Sequence, residues 1–204
     1  TADLGADIVY PENGTPYAAT PLIRTKNDLQ RMGCPDPGER NSRMADRILA
    51  TNNMVDAVGD DLLVLGWIDM PFAEACSVCG VTEFMTMLLI DPQFAHSILD
   101  FMTESVINFA LAQIEVGSPM IGAGDATASM ISPDLYRDFA LPYEKKVVDT
   151  IHDAGGLVKL HICGNTTFLL QDMVFTGADL FNVDHLVSFS QACKIYGGND
   201  ICFK

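Results

Sequence analysis

A histidine and a cysteine stand two residues apart near the end of an apolar run, in the segment KLHICGNTT. Residues i and i+2 of a β-strand point to the same side, so the imidazole of His161 and the sulfur of Cys163 converge at the carboxyl end of the predicted strand. A neutral imidazole and a thiolate are good zinc ligands, and catalytic zinc needs a third protein ligand and an open position. The spacing therefore predicts part of a zinc site.

A zinc ion held in this way would take a substrate thiol in its open position, lower the pKa of that thiol and leave its sulfur nucleophilic, which is the chemistry of S-alkylation. The plainer interpretation is a hydrogen-bonded core histidine beside a small buried cysteine. The following residues favour the functional interpretation. Gly164 offers a tight turn, and the side chain of Asn165 can hydrogen-bond a ligand or a substrate.

Four further side chains follow predicted strands at the same edge. Asp125 comes after a strand among small residues, which suits a carboxylate exposed at a barrel mouth or an ordinary helix cap. Asp184 ends the strand after the zinc motif, so it is a candidate partner or ligand of the metal, or a surface residue. Trp67 and Asp69 lie at the end of the strand predicted over Leu62–Trp67, and strand position alone places them in the pocket lining.

The other candidate ligands favour structural interpretations. Cys76 and Cys79 form C-S-V-C, but this stretch has helical character and no second C-x-x-C completes a zinc site, so packing is favoured. Cys202 falls in an incipient apolar strand and is interpreted as core, close to the metal only if that strand borders the site. His185 is adjacent to Asp184 and is expected to face the opposite side of its strand.

Short apolar runs alternate with longer helical patterns along the whole chain, and this alternation predicts a parallel sheet. The predicted strands are Asp7–Tyr10, Leu62–Trp67, Pro119–Gly122, Leu157–Ile162, Leu180–Val183 and one beginning at Ile201. The predicted helices are Arg43–Val58, Val81–Leu89, Pro92–Glu115, Pro133–Ala154, Thr167–Thr176 and Phe189–Tyr196.

Two architectures fit this pattern, the (β/α)8 TIM barrel and the doubly wound sheet. Neither of the glycine-rich phosphate motifs expected of a doubly wound nucleotide-binding sheet occurs, so the sequence favours the barrel. A barrel closes with eight strands, and the sequence supplies five and the start of a sixth. We therefore expect one domain over residues 1–204 that is an incomplete α/β barrel, cut from a longer protein.

The chain carries 12 Lys and Arg against 27 Asp and Glu, a formal net charge of −15, with no basic cluster to follow a phosphate backbone. This charge argues against nucleic acid as a partner. No apolar run reaches the length of a membrane helix and no signal segment opens the chain, so the sequence predicts a cytoplasmic protein with no membrane contact. An open barrel seam would favour homo-oligomers.

The segments KLHICGNTTFLLQDM and TGADLFNVDH resemble the metal-binding stretch of the methylcobamide:coenzyme M methyltransferases, within the uroporphyrinogen decarboxylase superfamily. A looser similarity covers nearly the whole chain. The resemblance implies a (β/α)8 barrel in which zinc, held by the His and Cys of H-x-C and by a cysteine near the C-terminus, activates the thiol of coenzyme M. His161 and Cys163 match that motif, whereas the third cysteine of the family lies beyond Lys204.

The resemblance implies a methyltransferase that moves a methyl group from a methylcobamide, carried by a partner corrinoid protein, to a small zinc-bound thiol. No D-x-H-x-x-G corrinoid motif occurs in the chain, so the corrinoid belongs to the partner. Asp125, Asp184 and Asn165 are the candidates for catalytic roles beside the metal. Two alternatives stay open at this point, a metal-free porphyrinogen decarboxylase of the same superfamily and a non-catalytic barrel module.

Overall fold

The computed structural model describes residues 1–197 and 202–204, and its first strands form a small antiparallel hairpin. Strand β1 (Ile8–Val9) pairs with β2 (Tyr17–Ala18), and neither strand joins the main sheet. The prediction of a buried parallel strand over Asp7–Tyr10 is therefore wrong. The apolar run is short, and the chain turns back after it through a segment containing Pro11 and Gly14. The run therefore pairs with the strand that follows the turn.

The main sheet has five parallel strands whose spatial order follows the chain order. They are β3 (Leu65–Asp69), β4 (Met120–Gly124), β5 (Leu157–His161), β6 (Leu180–Asn182) and β7 (Cys202–Phe203). Every crossover advances in the same direction, as in a (β/α)8 barrel, whereas a doubly wound sheet reverses its order. The fold is therefore α/β and part of a TIM barrel, and the doubly wound alternative is excluded.

The strand predicted over Leu62–Trp67 is placed too early. Leu62 and Leu63 are 63% and 62% exposed, and β3 begins at Leu65 and continues to Asp69. An apolar run alone did not mark the start of the strand, because these two leucines lie in the turn that leads into it. The predicted start of the last strand at Ile201 lies outside the described residues.

The helices cover one face of the sheet. They are α1 (Lys26–Arg31), α2 (Arg43–Val58), α3 (Pro71–Cys79), α4 (Val81–Ile90), α5 (Pro92–Glu115), α6 (Pro133–Phe139), α7 (Leu141–Asp153), α8 (Leu170–Met173) and α9 (Phe189–Tyr196). The predictions over residues 43–58, 92–115 and 189–196 are confirmed at both ends. Short 3₁₀ turns occur at Ala2–Leu4, Ala126–Met130 and Val174–Thr176.

Two predicted helices are interrupted. The helix expected over Pro133–Ala154 breaks at Ala140 into α6 and α7. Pro142 has no N–H to donate and its ring would clash with the carbonyl group four residues earlier, so the helix restarts there. The helix expected over Thr167–Thr176 is only α8 and a 3₁₀ turn, because the first residues are held in a separate turn by Asn165.

The sheet has a buried outer face and an open inner face. Side chains such as Ile68, Ile121 and Leu160 alternate toward the helices and are 2% exposed or less. The alternate residues face the inside of the partial barrel, where the register aligns Trp67 with Gly122 and Lys159. In a complete barrel the inner face is packed with side chains, and active sites lie at the carboxyl ends of the strands.

Among the described residues, no single helix combines the length and apolar character needed to cross a membrane. Helices α3 and α4 together pass on length and composition, but the pair is bent by 107°.

Candidate metal centre

Strand β5 places the imidazole of His161 at the edge of the sheet. The register aligns His161 with Gly124 on one side and Asn182 on the other. The His161 Nδ1 atom lies 2.7 Å from the Asn182 carbonyl oxygen, which can only accept, so Nδ1 carries the hydrogen and donates it. In the neutral ring this leaves the lone pair on Nε2, the atom that faces the site.

The sulfur of Cys163 lies next to that lone pair. His161 Nε2 and Cys163 Sγ are 3.1 Å apart, although β5 already ends at His161 and Cys163 belongs to the following turn. The turn depends on Gly164, whose φ of +94° is a left-handed conformation that favours glycine. The Cys163 residue is exposed, so the pair opens to solvent and is not sealed in the core.

Asp184 completes a group of three potential ligands. One ligand atom each from His161, Cys163 and Asp184 lies within 4.8 Å of the others. The backbone N–H of Gly164, and then that of Leu186, lower the pKa of Asp184, so its carboxylate is held ionised. The side chain of His185, which is 86% exposed, lies 3.0 Å from the same carboxylate.

The donor set fits zinc. Zinc bonds of about 2.0–2.3 Å to nitrogen, sulfur and oxygen place tetrahedral ligand atoms roughly 3.5 Å apart. In this group His161 Nε2 and Cys163 Sγ are 3.1 Å apart, and all three ligand atoms lie within 4.8 Å of one another. Burial, and then the charge of Asp184, raise the pKa of the Cys163 thiol, so a bound cation is what would make its thiolate form available. The hydrogen bond from His161 to Asn182 is the kind of outer contact that orients a metal-bound imidazole.

Asn165 is exposed, but its oxygen is used locally. The Asn165 Oδ1 atom accepts hydrogen bonds from the Thr167 hydroxyl at 2.7 Å and from the Thr167 N–H at 3.2 Å. This arrangement is an Asx-type turn that shapes the chain after the metal ligands. The predicted hydrogen bond from Asn165 to a substrate therefore stays a prediction. The amide nitrogen would have to donate it, because the oxygen is already bonded to Thr167.

Trp67 and Asp69 lie on the inner face of β3, and both line a cavity of about 490 Å³ between α2 and α5. The lining of this cavity does not include His161 or Cys163. Asp69 is in the register row of Gly124 and His161. The protein around Asp69 partly removes its carboxylate from water, and this desolvation raises its pKa. The charge of Glu74 raises the pKa further, whereas a hydrogen bond with the Trp67 side chain lowers it.

The expectation of an exposed Asp125 is wrong. Its residue is 0% exposed, and its carboxylate lies against that of Glu144 inside the fold. Its backbone N–H donates to the His161 carbonyl at 3.0 Å, which holds the backbone against β5 and turns the side chain inward. A loop position after a strand therefore did not mean exposure here, because the 3₁₀ turn that follows covers this residue.

Asp125 belongs to a buried acidic pair that the sequence did not reveal. Burial, and then the neighbouring Glu144, raise the pKa of Asp125 far above its usual range. Burial also raises the pKa of Glu144 to about 7, against the opposing effect of the Tyr136 hydroxyl, which donates to Glu144 Oε2. Glu144 was hidden because an acidic residue within a helix normally indicates a solvated face.

The remaining candidate ligands lie outside the group formed by His161, Cys163 and Asp184. Cys76 and Cys79 are buried within α3, and burial raises the pKa of each thiol to about 12. Cys202 lies in β7 but is exposed, so its interpretation as core is wrong. His185 follows the end of β6 in a turn, so the alternation expected for a strand does not apply to it.

The family model described as "Uroporphyrinogen decarboxylase (URO-D)" matches residues 1–203. The chain belongs to the URO-D family. It is 34% identical over 152 residues to "Methylcobamide:CoM methyltransferase MtbA" of Methanosarcina mazei, covering 74% of this chain and 44% of that protein. It is 27% identical over 199 residues to "Uroporphyrinogen decarboxylase" of Prochlorococcus marinus, covering 93% of this chain and 55% of that protein.

A solved "methyltransferase from Methanosarcina mazei" shares the fold, with a TM-score of 0.88, 24% sequence identity and coverage of 99% of this chain and 59% of that one. The resemblance to methyltransferases of the URO-D superfamily is thereby confirmed. The relatives are enzymes, both decarboxylases and methyltransferases. The chain spans about half the length of the curated relatives it matches.

Proposed function

We propose that this chain carries the thiol-activating site of a zinc-dependent methyltransferase, which moves a methyl group from a methylated corrinoid on a partner protein to a small thiol. The observation that carries the proposal is the 3.1 Å approach of His161 Nε2 to Cys163 Sγ at an exposed strand end, with Asp184 beside them. A porphyrinogen decarboxylase without a metal has no need of this soft donor pair. The similarity to the methylcobamide methyltransferase supports the same choice.

His161, Cys163 and Asp184 are the residues that would hold the ion. Zinc, when bound, would act as a Lewis acid that keeps a substrate thiol deprotonated at neutral pH. A corrinoid held by the partner protein would supply the methyl group to the thiolate sulfur and would keep the electron pair of its cobalt–carbon bond. The thiol proton is released when the sulfur is bound.

The chain itself contributes position and access. The Asn182 carbonyl keeps the hydrogen of His161 on Nδ1, so that Nε2 stays free to bind. The backbone N–H of Gly164 lowers the pKa of Asp184 and so keeps its carboxylate ionised beside the turn that carries Cys163. Because the Cys163 residue is exposed, a second sulfur and the methyl donor can approach it at the carboxyl end of β5.

The proposal is tested with the purified chain, zinc, methylcobalamin and a thiol. We expect a thiol-dependent loss of the methylcobalamin absorbance and the appearance of the methyl thioether by mass spectrometry. Both signals should disappear in His161→Ala and Cys163→Ala, while Cys193→Ala, a change of another exposed cysteine, should leave them intact. Zinc-loaded protein without thioether formation would contradict the proposal, and metal-free consumption of a porphyrinogen would support the decarboxylase instead.

A further inference from the structure

Strand β3 forms one edge of the main sheet, and among residues 1–197 and 202–204 no strand pairs with its other side. In a parallel sheet the backbone groups of successive residues point to alternate sides. Gly66 points toward the chain that enters β4, where its N–H donates to the Ser118 hydroxyl at 2.9 Å. The N–H and the carbonyl of Trp67 therefore point to the free edge, where an added strand would bind them.

The side chain of Gln113, on α5, occupies this edge. Its Oε1 atom accepts the Trp67 N–H at 2.9 Å, and its Nε2 atom donates to the Trp67 carbonyl at 3.1 Å. The same Nε2 atom also donates to the Phe109 carbonyl at 3.3 Å. A neighbouring strand would offer the same kind of acceptor and donor to Trp67, so the amide takes the place of one peptide unit of that strand.

Two features favour an amide at this position. Gln113 is 2% exposed and continues the stripe of buried residues along α5 that includes Val106 and Ala110, where an apolar residue is the usual occupant. On the strand, a Cβ atom at Gly66 would lie 2.9 Å from Gln113 Oε1, so glycine leaves room for the amide. A buried amide is costly unless its hydrogen bonds are made, and here the contacts with Trp67 and Phe109 make them.

The space beside this edge is open. The cavity of about 490 Å³ between α2 and α5 is lined by Leu65, Trp67 and Gln113, so it adjoins the central part of β3. A second chain that reached this cavity would meet the Gln113 amide before the backbone of Trp67. The hydrogen bonds that strand addition needs are thus already made within the chain.

We propose that Gln113 closes the edge of β3 against a second copy of this chain and so prevents two copies from joining their sheets. Trp67 is the middle residue of β3 (Leu65–Asp69), so two antiparallel copies of this strand can pair around a two-fold axis at Trp67. Residues directly opposite in such a pair exchange both N–H···O bonds, through the same two groups that Gln113 holds. Asp69 would face Leu65 of the other copy, so the two carboxylates would not meet. This inference does not depend on the proposed function.

Removal of the amide tests the proposal. Gln113→Met keeps a side chain of similar length but lacks both hydrogen-bonding groups, and Gln113→Leu is a second variant without them. Gln93→Met is the matched control, because Gln93 is an exposed glutamine on the same helix. Sedimentation velocity over a series of concentrations measures association, and far-UV circular dichroism checks the fold of each protein.

We expect Gln113→Met and Gln113→Leu to dimerise about thirtyfold more tightly than the wild type, as two added hydrogen bonds would give. Gln93→Met should sediment like the wild type. Addition of Trp67→Pro to Gln113→Met should abolish the dimer, because proline has no N–H to exchange with the other copy.

Hydrogen–deuterium exchange of the peptide that contains β3 is a second measurement. In Gln113→Met the Trp67 amide hydrogen should exchange faster than in the wild type at low concentration and regain protection at high concentration. Folded Gln113 variants that sediment like the wild type, or dimers that persist with Trp67→Pro, would overturn the inference. A lower mass for the single variant Trp67→Pro than for the wild type would also overturn it, since the edge would then already join copies of the wild type.

Discussion

The buried pair of Asp125 and Glu144 predicts a specific dependence of stability on pH. Burial raises the pKa of Glu144 from 4.5 to about 7. The folded chain thus keeps a proton on Glu144 that the unfolded chain releases between these two values, so the contribution of Glu144 to the free energy of unfolding falls as pH rises from 4.5 to 7 and then levels off. A rise of about 2.5 units corresponds to about 3 kcal/mol.

The substitution Glu144→Gln should remove this loss. The glutamine oxygen can still accept the hydroxyl of Tyr136, but it carries no charge at any pH. We therefore expect the variant to be more stable than the wild type by up to about 3 kcal/mol near pH 8, with little difference near pH 5. Because Glu144 also raises the pKa of Asp125, the difference between the two proteins reports on the acidic pair as a whole.

Urea denaturation at a series of pH values measures this difference, followed by far-UV circular dichroism. Glu104→Gln on α5 is the matched control, because Glu104 is exposed and its substitution should leave the pH profile as it is. Equal slopes for the wild type and Glu144→Gln between about pH 5 and 7 would show that the pair does not retain the proton, and the reasoning about burial would be refuted.

Three further predictions concern other parts of the fold. Gly122→Ala should destabilise the chain by about 1–3 kcal/mol and shift Trp67 fluorescence, because the new methyl group overlaps the indole; unchanged denaturation and emission would contradict this. Gln113→Leu should cost about 1–3 kcal/mol in denaturation experiments, since the Gln113 amide hydrogen-bonds both the N–H and the carbonyl of Trp67 at the free edge of β3. Burial raises the thiol pKa of Cys76 and Cys79 to about 12, so both should resist iodoacetamide at neutral pH while Cys193 reacts; equal labelling by mass spectrometry would contradict their packing.

Much of the fold could be predicted because its longest elements carry consistent local signals. Helix α5 begins at a proline after the capping residue Asp91, whose side chain accepts from the Phe94 N–H, and both ends were predicted. The proximity of His161 and Cys163 could be predicted because a single residue separates them, although Cys163 lies in the turn after β5 and not in the strand. These features depend on residues near one another in the chain, which a sequence shows directly.

The rest depends on contacts between distant residues. The inward turn of Asp125 is caused by a hydrogen bond to the His161 carbonyl and by the covering turn, 36 residues before the metal ligand in sequence. Ile8 and Val9 have strand composition, but which partner they pair with is a tertiary property. From the sequence, Asp184 is one candidate ligand beside a cysteine that the resemblance places beyond Lys204, and the position of Asp184 near Cys163 depends on how β6 pairs with β5.

Metal analysis of the purified chain tests the central claim most directly. The wild type, His161→Ala, Cys163→Ala and the control Cys193→Ala are each loaded with zinc, desalted and measured by inductively coupled plasma mass spectrometry. We expect stoichiometric zinc in the wild type and the control, and background zinc in both ligand variants. The same zinc content in all four proteins would mean that the imidazole and the sulfur at the end of β5 do not hold a metal together.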